Sequence, residues 1–414
     1  MKNTKITAIA CYVGYVTQAI VLNLLPLFFV IFQNEYSISS AKLSFLIFLT
    51  FFVQIGIDLF VAWLGDKADL RIFSVLAHAM SATGLILLSL LPDIIDPFGG
   101  IIIAVVTYSV GSALLEVMIN PLFDRLPQKE EKGFSFAHSF YCWGQMAVIL
   151  LSALALGLLK NNWQPIPLCW SIIPTVNAIV LAFAPIPPKK DISSENAKNG
   201  ASKRYFGKFS MLLFVIIMIC AGAAEQGVAQ WASYFAEKGL GTEKVIGDLL
   251  GPCTFALFMA IGRTLFSLFG SKINIQKALT VCAVSSAVCY AVIAFAPSDI
   301  LSLAACALSG FAVSIMWPST LDLASSTFYC GAAAFSILSV AGDIGCTLGP
   351  SVNGVVADIF AGTSFAANLS AKLGLTAEQL SIRLGFALNL LFPVIMALTL
   401  IYLSKKVLCI KDGK

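Results

Sequence analysis

The sequence predicts an all-α integral membrane protein whose twelve spanning helices form two pseudo-symmetric six-helix bundles. Three observations carry this expectation. Of 414 residues, 58% are hydrophobic and only 12% charged, about half the charged share of a soluble domain, which excludes an ordinary water-soluble enzyme. The apolar residues gather in runs of about twenty or more, long enough at 1.5 Å per residue to cross a hydrocarbon core of about 30 Å. Runs such as 101–115 and 211–224 are apolar on all sides, whereas the strands of an outer-membrane barrel alternate. Finally, the polar stretch 187–208, with Lys189, Lys190, Asp191, Glu195, Lys198, Lys203 and Arg204, divides the runs into six and six. The expected organisation is a first bundle over 1–187, a linker over 188–207 and a second bundle over 208–414.

Read against Pro, Gly and charge punctuation, the first half has runs over 6–32, 41–65, 72–92, 99–122, 134–159 and 166–186. The first follows a short basic start, lacks a small-residue cleavage pattern and is too long for a signal peptide, so it reads as a retained span. The second half has runs over 208–236, 245–270, 277–296, 299–325, 331–358 and 383–405. Besides the central linker, the one long connection is 360–381. The halves echo each other in the same order. Gly14 to Gln18 corresponds to Gly222 to Gln226, Gln54-Ile-Gly56 to Ala260-Ile-Gly262, Asn120-Pro121 to Trp317-Pro318, and Gly144 to Gly342.

Eleven cysteines form no CxxC pair, and nearly all fall inside apolar runs, so they read as small packing residues rather than a disulfide or metal framework. No cofactor or metal is expected. The net charge of +4 lies between spans and speaks for orientation, not for a nucleic-acid partner. With the N-terminus inside, about twenty Lys and Arg fall on the cytoplasmic side and about six outside, namely Lys42, Lys160, Lys238, Lys244, Lys372 and Arg383. Both termini and the linker are therefore expected in the cytoplasm, with the chain in the plasma (inner) membrane.

Six plus six helices, internal termini and a basic central loop resemble the major facilitator superfamily. The segment Leu64-Gly-Asp66-Lys67-Ala-Asp69-Leu-Arg71 is similar to its cytoplasmic G-x-L-A-D-R-x-G-R-R signature, departing at Ala62, Asp69 and Leu70. A narrower resemblance, to the fucose:proton symporter-like branch, rests on Glu116-Val-Met-Ile-Asn120-Pro121, which fits E-x-x-x-N-P. It also rests on Ala137-His138-Ser-Phe140-Tyr-Cys-Trp-Gly144, which resembles A-Q-A-F-N-x-L-G with His138 at the Gln. The resemblance implies sugar binding and proton coupling at Glu116 and His138. The acidic residue that this branch places in the first helix is here Leu22.

A charge inside a span costs several kcal/mol and defaults to a functional hypothesis with a partner. Glu116 and His138 lie at similar depth on consecutive spans, so a carboxylate–imidazole pair sharing a proton is expected; the alternative is a locally bonded Glu116 and an interfacial His138. Glu225, Gln226, Gln230, Trp231 and Tyr234 lie along the seventh span. Gln230 and Tyr234 share a face, with Gln226 one turn away, and carboxamides beside a ring suit sugar hydroxyls and C–H faces. Trp231 and Tyr234 have the alternative of an interfacial belt. Gln18 and Asn23 on the first span and Tyr141 and Gln145 on the fifth line a lumen or glue helices together. Asn120 and Trp317, each beside a proline, complete the substrate-site candidates. Asp343, with Gly342 and Gly345, is a candidate cation-coupling residue. Asp58, Asp66, Arg71, Arg263 and Asp322 are candidates for a charge network closing the inner gate, with snorkelling as the alternative.

No Walker, HExxH or G-x-S-x-G sequence is present, which leaves no sign of ATP hydrolysis or of enzyme chemistry. The resemblance implies a monomeric secondary transporter working by alternating access, with a small polar solute, a neutral hexose-type sugar first, coupled to protons or sodium or to neither. Two rivals remain at this point. One is an organic-cation carrier using Glu225 and Glu116 beside Trp231 and Trp143; the other is a non-transporting solute sensor.

Overall fold

The computed structural model describes residues 4–64, 69–126, 134–186, 208–270, 273–327 and 332–405, which are helical apart from short connections. Among the described residues, twelve helices are long and apolar enough to cross a membrane: α1 Lys5–Tyr36, α2 Ser40–Val61, α3 Leu70–Ile94, α4 Pro97–Phe123, α5 Ser139–Leu158, α6 Pro165–Phe183, α7 Phe209–Ala229, α8 Lys244–Phe269, α9 Ile275–Phe295, α10 Asp299–Ser325, α11 Ser336–Ala361 and α12 Ala377–Leu403. An even number of antiparallel spans brings both chain ends to one end of the bundle, the terminal end; the opposite end is the distal end. The linker, residues 187–207, lies outside the described residues.

Local chemistry sets where the spans begin and break. The Asp69 carboxylate accepts from the N–H groups of Arg71 and Ile72 at 2.8 and 3.0 Å and opens α3; Asp96 accepts from Gly99 at 2.8 Å ahead of α4, and Thr376 and Gln379 form a reciprocal capping box on α12. Pro26 has no N–H to donate, and α1 tightens to a 3₁₀ turn over Leu25–Phe28 before resuming. In α8 a π-turn over Leu249–Cys253 surrounds Pro252.

Within the first half α3 packs along α4 and α1 along α5; within the second α7 packs along α11. Sequence echoes become equivalent close contacts. A Cβ at Gly144 would press on Val16 and Ala19 of α1 at 3.2 Å, and one at Gly222 of α7 would collide with the Gly342 carbonyl of α11, so small residues let both pairs of backbones approach. The halves meet along α2 with α11 and α5 with α8.

The structure departs from the sequence reading in three places. The 360–381 connection contains a helix, Ser364–Leu373, capped by Thr363 and ended by Gly374 at φ 68°, and α12 starts at Ala377 rather than 383. A search for long apolar runs passes over such a short element. Lys244 and Arg383, counted above as loop charges, are buried: Lys244 Nζ lies 2.8 Å from both Asp248 Oδ2 and Ser233 Oγ, and Arg383 Nη1 donates to Ala296 O at 2.7 Å. Arg71 is the third. Its guanidinium donates to the carbonyls of Leu181, Ala182 and Ala184 at 3.3, 2.6 and 2.8 Å, satisfying the free C-terminal carbonyls of α6. It is a helix cap within one half rather than a gate charge.

Candidate functional site

Two hydrogen-bonded sets of interior polar side chains stand out, one on α1, α2 and α4 of the first half and one on α7 and α8 of the second. In the first half Glu116 of α4 accepts a hydrogen bond from Gln18 Nε2 of α1 at 3.0 Å and another from Gln54 Nε2 of α2. Three helices thus meet on one carboxylate. One turn on, Asn120 Oδ1 accepts from the Tyr15 hydroxyl at 2.7 Å. Toward the distal side Asn23 Nδ2 donates to Tyr141 Oη of α5 at 3.2 Å, and Gln145, 1% exposed, keeps an unpartnered Oε1.

The second half supplies a continuous chain of polar groups. Arg263 Nε of α8 donates to Ser314 O at 2.9 Å, and its Nη2 lies 3.7 Å from Glu225 Oε2 of α7. Gln226 Nε2 lies 3.4 Å from Glu225 Oε1, Gln230 Nε2 donates to Gln226 Oε1 at 2.9 Å, and the same nitrogen reaches Leu22 O of α1 at 3.1 Å. Leu22 O is exposed as an acceptor because α1 loosens at Pro26. The chain therefore begins on a buried ion pair in one half and ends on the backbone of the other. Asp343 is buried on α11, and next to it the Trp317 ring lies against Gly342, where a Cβ would collide with it.

Burial differs between the two ends. Asp58, Glu116, Asn120 and Trp317, toward the terminal end, are half-buried, whereas Trp231, Tyr234 and Phe235 at the distal end are sealed. The Tyr234 hydroxyl lies 3.0 Å from both Gln33 Oε1 and Glu378 Oε1, donating to one of them, and 3.1 Å from Ser40 Oγ. Phe29 packs edge-on to Trp231 at 5.8 Å, and Ser44 Oγ donates to Pro350 O at 3.4 Å. These contacts join the halves and close the distal end.

The sequence model of the Major Facilitator Superfamily matches residues 9–350. The chain belongs to this superfamily. Its members are transporters, so the chain is a transporter and not an enzyme. The fold is similar to that of a mutant form of the nucleoside transporter NupG, with TM-score 0.71, 14% identity and coverage of 97% of this chain and 100% of that one. It is also similar to a D-xylose-proton symporter, at TM-score 0.68, 14% identity and coverage of 94% and 96%. A mutant form of the E. coli fucose:proton symporter FucP aligns at TM-score 0.59, 15% identity and coverage of 95% and 99%. At these identities the likeness concerns the fold. No curated protein matches this sequence.

Within this superfamily fold, Gln18 joins Glu116, Glu225 joins Gln226 and Gln230, and Asn23 joins Tyr141. Trp231 and Tyr234 are interior residues of the distal closure rather than an interfacial belt, because the breaks in α1 and α7 carry them between the halves. Of the candidates for a gate charge network, Arg263 pairs with Glu225 and Asp58 faces Asp343. Asp322 is exposed at the end of α10. Asp66 and the side chain of His138 lie outside the described residues, and the partners that Glu116 shows are Gln18 and Gln54. Gln54, Tyr15 and Ser40 make polar contacts here although the sequence reading does not single them out as site residues: each is one of several neutral polar groups along α1 or α2, and Gln54 enters that reading only through the repeat.

Proposed function

We propose that the chain moves a neutral, hydroxyl-rich solute, a hexose-type sugar first, by alternating access of its two halves, with the terminal end in the cytoplasm and proton coupling through Glu116. The observation that carries this is a pair of amide and carboxyl sets, Glu116 with Gln18 and Gln54 in the first half and Glu225 with Gln226 and Gln230 in the second, the latter reaching Leu22 O of the first half. Residues beside these sets are half-buried toward the terminal end and sealed at the distal end. Amides donate to and accept from hydroxyls, and a site near the midplane between halves is where such folds hold their cargo. The organic-cation reading loses support, because the counter-charge it requires at Glu225 is taken by Arg263 and Trp231 is sealed in the closure. The halves 1–187 and 208–414 are the moving bodies, the linker joins them, and one chain suffices.

A thermal-shift screen of the purified protein against sugars, nucleosides, amines and amino acids tests the substrate class. A bound solute at 100 times its Kd stabilises the folded state by about 2.7 kcal/mol, so a hexose or related polyol is expected to raise the Tm by several degrees while choline-like amines leave it unmoved. Stabilisation by amines alone would overturn the sugar reading.

A further inference from the structure

Three carboxyl groups gather where α2, α4 and α11 meet, two from the first half and one from the second. The Asp58 and Asp343 carboxyls lie within hydrogen-bond reach of each other, with Glu116 close enough for its charge to act on both. Asp343 is 1% exposed. Asp58 Oδ1 and Asp343 Oδ2 are buried without a donor, and so is Oε1 of Gln54, a residue 2% exposed whose amide nitrogen already donates to Glu116. The other titratable groups facing this junction are Glu225 of α7 and the Cys346 thiol one turn along α11. Arg263 of α8 does not neutralise the trio, since it is bound to Glu225.

Ionised carboxylates only accept hydrogen bonds. Two of them in contact, with a third beside them and no cation between, repel strongly in a medium of low dielectric. One proton turns the same contact into a short charge-assisted O–H···O bond, as in carboxyl dyads that share a proton. A metal ion fits less well, because no three His, Cys, Asp or Glu among the described residues are placed to ligate one. We propose that Asp58 and Asp343 share one proton, and that this proton latches the two halves together near the terminal end.

The chemistry balances simply. When α2 and α11 part, the shared bond breaks, water reaches both oxygens, and the carboxylic acid releases its proton to leave two carboxylates; closing takes one proton back. Such a latch makes the parting of the halves easier as pH rises. Its part in coupling rests on the alternating-access reading above; the shared proton itself does not.

Infrared difference spectroscopy of the full-length protein in lipid vesicles, without solute, tests it. The expected result at neutral pH is the C=O stretch of a protonated carboxylic acid, displaced when aspartate is labelled with ¹³C at the side-chain carboxyl and lost in both D58N and D343N. In those variants the new amide N–H makes the bond that the proton made. The band persists in E116Q. The labelling result needs no variant and stands if either Asn variant folds poorly. Absence of the band in the wild type, its failure to move on aspartate labelling, or its loss in E116Q alone would overturn the shared proton. Hydrogen exchange of α2 and α11, each rate divided by its intrinsic rate at the same pH, tests the latch: protection falls as pH rises in the wild type and does not change with pH in D343N, whereas equal protection profiles would overturn the latch. A negative solute screen leaves these results in place, and a positive screen without the band sinks only this proposal.

Discussion

Replacing Arg263 by Met is expected to destabilise the protein by about 3–5 kcal/mol, the cost of leaving one member of a buried pair without the other. Arg263 is 7% exposed and Glu225 8%, and the guanidinium makes two contacts that Met does not replace, 2.9 Å to Ser314 O and 3.7 Å to Glu225 Oε2. The Glu225 carboxylate then keeps only the 3.4 Å approach of Gln226 Nε2 and stands as an uncompensated charge among apolar helices. The unfolding midpoint in detergent should fall by many degrees and the yield of monodisperse protein should drop. Adding E225Q to R263M removes the orphaned charge and should recover most of the loss, because a neutral replacement of a buried pair is often close to neutral in stability. If R263M is as stable as the double variant, the pair does not anchor the polar chain.

Replacing Glu116 by Gln should separate binding from coupling. Gln18 and Gln54 both donate to the same Glu116 oxygen, Oε2. A Gln at 116 can present its carbonyl there and keep both bonds, so the fold and the three-helix junction survive. What it lacks is an exchangeable proton. Uptake driven by an imposed pH gradient is therefore expected to fall to background, while counterflow of solute between equal pools, which moves no net proton, stays within a few-fold of wild type. An unchanged gradient-driven rate refutes proton carriage by Glu116. Loss of counterflow as well assigns Glu116 to binding alone.

Much of the fold is legible in the sequence, because the cost of burying backbone and charge in hydrocarbon forces long uninterrupted apolar runs and so marks all twelve spans. Residues that act within one helix were legible too. The spacing of Gln226 and Gln230 foretold a shared face, and the two are hydrogen-bonded at 2.9 Å. Contacts between distant helices were not. The partners of the gate candidates are set by helix crossings: that of α7 and α8 delivers Arg263 to Glu225, and nothing in local periodicity brings Asp58 of α2 to Asp343 of α11. Trp231 and Tyr234 read equally well as interfacial rings; the breaks after Ala229 and at Pro26 are what fold them into the distal closure. The Ser364–Leu373 helix did carry readable signals, Thr363 before it, Lys372 in its last turn and Gly374 after it.

The central claim is that the halves carry solute across a bilayer rather than merely hold it. Counterflow in proteoliposomes tests this most directly, with the solute that raises the Tm loaded inside and its labelled form added outside. Wild-type protein is expected to accumulate label transiently above the level in empty vesicles, and unlabelled solute outside to compete it away. A solute that stabilises the protein yet shows neither counterflow nor gradient-driven uptake would contradict transport and leave a solute sensor built on this fold.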